Sequence, residues 1–144
     1  LRKRTGPMLA IICDAITPLL FFALAIFTWR HNSELGKRQF TLLILLETSL
    51  GIGVTYSLMG IDHWGNWWPK WGLDYSTHSA FALSLGVPLA KYHHWLWAGV
   101  LLFYGLCMQV LLYHSWADMV TTGLAWALFV LPLIHICQRR MIKH

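Results

Sequence analysis

Charge is scarce in this sequence. Only 12% of its 144 residues are charged, about half the roughly 25% usual in soluble domains. Polar faces are scarce too, because the apolar residues, 57% of the chain, come in blocks and do not alternate with polar ones. A soluble helical bundle needs such faces, so that class is excluded. Cysteine is rare and unpaired in pattern: Cys13, Cys107 and Cys137 lie in apolar stretches without CxxC spacing. An odd count in that setting argues against a disulfide framework and for thiols that fill space. There is no internal repeat, no low-complexity tract, and no basic-aromatic pattern suited to nucleic acid.

What is present is a series of apolar runs approaching the about 20 residues that cross a bilayer as a helix. They predict an all-α, polytopic transmembrane bundle of about five helices, one domain over residues 1–144. The runs fall at about 8–29, with Pro18 inside, then 40–59, 78–90, 96–113 and 117–136. The first has a basic start but is too long for a signal core and lacks a small-residue cleavage pattern, so it is read as a retained helix. The stretch "GIDHWGNWWPKWGLDYST" reads as a loop in the membrane interface, where Trp is favoured. "KYHHW" reads as a tight turn anchored by His93 and His94, and His31, His135 and His144 read as interfacial. Asp14 and Glu47 fall inside the first two runs, where carboxylates are costly and either serve function or meet polar partners between helices.

The net charge of +5 is expected to report orientation and contact with the lipid bilayer. Arg30, Lys37, Arg38, Lys91, Arg139, Arg140 and Lys143 collect on one side, and Arg2, Lys3, Arg4 and Lys70 on the other. The richer side is expected to be cytoplasmic. Then the Trp-rich loop, His78, His114 and Asp118 belong to the outer face, the periplasmic one in a bacterial inner membrane.

On this topology the two open ends of a helical hairpin carry His78 and His114 at one depth. Asp118 follows His114 by four residues. If the last helix begins near His114, both side chains share a face. A carboxylate on one imidazole nitrogen fixes the tautomer and frees the other nitrogen. A structural hydrogen bond is the plainer use of the same pair. Ser76 and Thr77 are good N-cap residues before His78, and the helix start they mark favours anions such as phosphate. Asp62 and His63 add a third polar spot on that side.

"STHSAFALSLG" resembles the second signature of the type 2 phosphatidic acid phosphatase superfamily, and "HSWADMV" resembles its third, His-x-x-x-Asp before an apolar residue. The likeness covers roughly residues 74–124, and related lipid phosphotransferases such as sphingomyelin synthases share the two motifs. It implies a membrane-embedded lipid phosphatase or phosphotransferase acting on a membrane lipid or lipid phosphate, without a cofactor. His114 would be the nucleophile, Asp118 its orienting carboxylate, and His78 the general acid. Ser76, Thr77, Lys70 and Asp74 would line the substrate site. The chain departs from the family in its arginines: the first signature is absent, and Cys107 and Met108 stand where Ser-Arg precedes the third histidine. "IDH", "THS" and "HSWADMVT" are also similar to the YdjM-like inner-membrane metal-dependent hydrolases. That likeness implies Asp62, His63, His78, His114 and Asp118 as ligands to a divalent metal such as Zn. A non-catalytic membrane subunit and a bis-histidine haem protein are the remaining alternatives.

Overall fold

The structure is a computed structural model, and it describes residues 7–31 and 38–142. Arg2, Lys3, Arg4, Lys37, Lys143 and His144, part of the charge pattern and interfacial reading above, lie outside the described residues. The elements are α1 (Pro7–His31), α2 (Arg38–Gly65), a 3-10 turn (Pro69–Trp71), α3 (Thr77–Val110) and α4 (Trp116–Ile142). Three spans, Ala10–Arg30, Phe40–Gly65 and Trp116–Arg139, are long and apolar enough to cross a membrane. The chain is thus an all-α helical bundle with the build of an integral membrane protein.

Helix α3 is two helices in space. At His93 the backbone leaves the helical region (φ −148°, ψ 79°), and the arms 77–92 and 94–110 run antiparallel. A straight helix over this span would be about 50 Å long. Instead a Cβ placed on Gly86 would stand 2.9 Å from Cδ1 of Leu101, and the rings of His78 and His114 lie 6.4 Å apart. The tight turn expected at "KYHHW" is this reversal. Each arm is about 25 Å long at 1.5 Å per residue, short of the about 30 Å hydrocarbon thickness. His93 meets Phe27 of α1 edge-on at 6.3 Å, and Phe27 meets Trp97 in the same way at 6.0 Å.

Two boundaries differ from the sequence reading. Helix α2 continues to Gly65, so Asp62 and His63 sit on its last turn and not in the loop. The Asp62 carboxylate accepts the Trp68 N–H at 2.8 Å, which closes the chain over the helix end and so extends it. Helix α4 runs on to Ile142.

Between helices in lipid, close approach and hydrogen bonds hold the packing, because lipid tails are as apolar as leucine. Gly51 marks one close approach: a Cβ there would stand 2.9 Å from Ser84 Cβ and 3.1 Å from Trp126 Cζ2. That absence of a side chain lets α2, α3 and α4 meet. Trp126 Nε1 donates to the Gly51 carbonyl at 3.2 Å and to Ser84 Oγ at 3.0 Å, and Thr55 Oγ1 lies 3.2 Å from Ser84 Oγ. Such bonds average about 0.6 kcal/mol in bilayers, so shape complementarity carries most of the association. Exposed tryptophans cluster at both ends of the bundle, Trp64, Trp67 and Trp71 at one and Trp29 and Trp95 at the other, as interfacial belts do.

The two intramembrane carboxylates divide. Asp14 is exposed on α1. Glu47 is buried, and its Oε1 accepts from Lys91, beside the reversal, and from Gln138 Nε2 of α4 at 3.0 Å. This clamp ties α2, the turn of α3 and the end of α4 together. Lys91→Met should therefore leave a buried carboxylate uncompensated and cost about 3 kcal/mol, the low end for a broken pair, since the Lys91 side chain is 28% exposed. Adding Glu47→Gln should restore much of the loss. Thermal unfolding of the single and double variants in detergent checks this. A double variant no better than Lys91→Met contradicts the clamp.

Candidate functional site

The site is assembled by the segment between α2 and α3. Asp62 holds the Trp68 N–H, and Trp68 Nε1 donates to Thr121 Oγ1 of α4 at 3.2 Å. The Trp68 ring packs edge-on against Tyr75 at 4.9 Å, whose hydroxyl donates to the Thr55 carbonyl at 3.0 Å. The 3-10 turn ends at Gly72, whose φ of +69° favours glycine. Trp67, Trp68, Trp71, Leu73 and Thr121 line an open cleft of about 470 Å³. Two further backbone bonds then fix the entry to α3: the Asp74 N–H donates to Asp118 Oδ1 at 2.9 Å, and the Ser76 N–H donates to Thr122 Oγ1 at 3.0 Å.

The other half comes from the end of α3. Tyr113 N–H donates to the Met108 carbonyl at 3.1 Å, and Leu112 adopts φ +57°. This is a Schellman closure with leucine where glycine is usual, and it turns the chain so that His114 faces back toward His78. Ser115 then caps α4. Asp118 N–H donates to Ser115 Oγ at 3.1 Å, and Ser115 N–H donates to Asp118 Oδ2 at 2.7 Å, a reciprocal capping box.

This arrangement redistributes the roles expected from the spacing. His114 lies ahead of α4 and not on it, so it does not share a helix face with Asp118. Both Asp118 oxygens hold backbone N–H groups. The carboxylate beside His114 is Asp74, with Oδ2 3.6 Å from Nδ1, the imidazole being 11% exposed and the Asp74 side chain 71%. His114 Nδ1 is buried without a hydrogen-bond partner. Ser76 is fully buried, and its Oγ caps its own helix, accepting from Ser79 N–H at 3.3 Å and pairing with Ser79 Oγ at 2.7 Å. Thr77 and His78 line a second cavity of about 230 Å³ with Thr17, Tyr56 and Phe81. Lys70 is exposed on the 3-10 turn. Cys107 and Met108 are packed in the apolar core. Among the described residues no three His, Cys, Asp or Glu side chains converge as a metal requires, so Asp62, His63, His78, His114 and Asp118 do not form the ligand set of the metal-hydrolase reading. No known protein family, curated protein or solved structure matches the chain.

The spacing His-x-x-x-Asp hid the capping role of Asp118, although "SWAD" also reads as Ser-x-x-Asp before an apolar run, the signature of a helix start. Asp74 carried no such signal, because only the folded loop brings it to His114.

Desolvation by burial lowers the His114 pKa below its ordinary 6.5, with His78 adding to the fall and Asp74 and then Asp118 opposing it. The imidazole is therefore neutral at pH 7. A histidine depressed by folding binds its proton better when unfolded, so stability from this site is full above about 6.5 and is lost as pH falls through the folded value. Asp74→Asn removes the larger opposing anion. The His114 titration, followed by NMR, should then move to lower pH. A move to higher pH contradicts the assignment of Asp74 as its neighbour.

Proposed function

We propose that the chain is a membrane-embedded lipid phosphatase or phosphotransferase, a divergent relative of the type 2 phosphatidic acid phosphatases, working through a phosphohistidine. The observation that carries this reading is the opposition of His78 and His114 at 6.4 Å between ring centroids, with a carboxylate beside the buried imidazole. Two histidines on one hairpin suit a double displacement. His114 Nε2 attacks phosphorus, the bond from phosphorus to the leaving oxygen breaks, and His78 gives that oxygen its proton. Water, or a second alcohol, then attacks the phosphohistidine. His78 takes the incoming proton, the P–N bond breaks, and His114 is regenerated.

The start of α3 adds its dipole to the charge that phosphorus brings. In place of the family's arginines, His78 and this helix end stabilise the phosphoryl oxygens, with Lys70 available from the adjoining turn. The charge pattern of the sequence supports a site facing the periplasm of a bacterial inner membrane.

Purified protein in nanodiscs containing a lipid phosphate should release inorganic phosphate or transfer the phosphoryl group. His114→Ala should reduce the rate to background. His78→Ala should slow substrates with poor leaving groups most, by on the order of 10²-fold or more. EDTA should leave the rate unchanged, since the donor geometry gathers no ligand set. Full turnover in His114→Ala overturns the proposal.

A further inference from the structure

We propose that Asp74, and not Asp118, is the carboxylate that positions His114 for attack, and that Asp118 is the fixture that holds Asp74 in place. The inference rests on the histidine chemistry proposed above. It follows from which carboxylate stands beside the imidazole. Asp118 is 8% exposed, and each of its oxygens accepts a backbone N–H, from Asp74 and from Ser115, at 2.9 and 2.7 Å. Those two bonds anchor its carboxylate to the backbone of the segments on either side. His114 Nδ1 is left buried and unpartnered, a costly state for a polar atom, and the carboxylate within ion-pair range of it is Asp74 at 3.6 Å.

That separation is longer than the 2.7–3.2 Å of a hydrogen bond, yet closing it needs only a small rotation of an exposed side chain whose backbone Asp118 already fixes. Attack through Nε2 makes the ring cationic and its Nδ1–H a strong donor. Asp74 Oδ2, 3.6 Å away, is the carboxylate oxygen within ion-pair range of that donor. Before attack, the same contact selects the Nδ1–H tautomer and leaves the Nε2 lone pair free. Asp118 thus acts through Asp74, and Asp74 acts through His114, so both are positioning residues.

The test combines kinetics with a readout that needs no turnover. Protein labelled with ¹⁵N-histidine reports the His114 tautomer above its titration range, with the His114→Ala sample assigning the signal. Asp74→Asn should shift His114 toward the Nε2–H tautomer. It should also lower kcat by roughly a hundredfold with little change in KM, less than the about 10⁴ lost with a buried triad carboxylate. Asp74→Glu, which keeps the charge, should recover much of both. An unchanged tautomer and kcat in Asp74→Asn, with both altered in Asp118→Asn alone, would overturn the inference. The two failures are separable. Loss of rate in His114→Ala with no effect of Asp74→Asn sinks this inference alone. A tautomer that follows Asp74 in a protein without phosphoryl turnover leaves the positioning intact and sinks the proposed function.

Discussion

The carboxylate of Asp118 is the joint on which this site hangs. One oxygen closes the start of α4 and the other holds the segment that leads into α3. Without it, α4 would lose its capping box, worth about 1 kcal/mol, and the loop would lose its tie to that helix at Asp74. The Ser76–Thr122 and Trp68–Thr121 hydrogen bonds extend the same seam along α4. A polar seam at the rim is what lets two short apolar arms present histidines to each other at a fixed distance.

The opposite end of the bundle is held by a different device. There the chain reverses at His93, and the Glu47–Lys91–Gln138 clamp binds the reversal to α2 and α4. Between the two ends the helices rely on close approach, at Gly51 and Gly86 above all. The division suits a membrane. Lipid-facing surface needs no polar cohesion, whereas both ends, where water begins, carry directional bonds that set register.

Much of this was legible in the sequence because apolar blocks and the reversal at "KYHHW" obey simple constraints of length and composition. The facing of His78 and His114 followed from counting helices. The buried partners of Glu47 were expected in kind but not by name, since Lys91 and Gln138 come from distant segments. Asp62 and His63 open a stretch whose Trp, Gly and Pro content reads as an interfacial loop, but the hydrogen bond from Trp68 holds the end of α2. The reassignment from Asp118 to Asp74 was the least legible. One aspartate satisfies two overlapping patterns, His-x-x-x-Asp and Ser-x-x-Asp, and only the folded hydrogen bonds decide between them.

In the proposed reaction His114 receives the phosphoryl group on Nε2, the nitrogen away from Asp74. The direct measurement is to quench a reaction with ³²P-labelled lipid phosphate under alkaline conditions, which preserve phosphohistidine, and to map the modified atom by mass spectrometry and comparison with the two phosphohistidine isomers. Label is expected on Nε2 of His114. Label on Nδ1 of His114, on His78, or on no residue while turnover proceeds would contradict it.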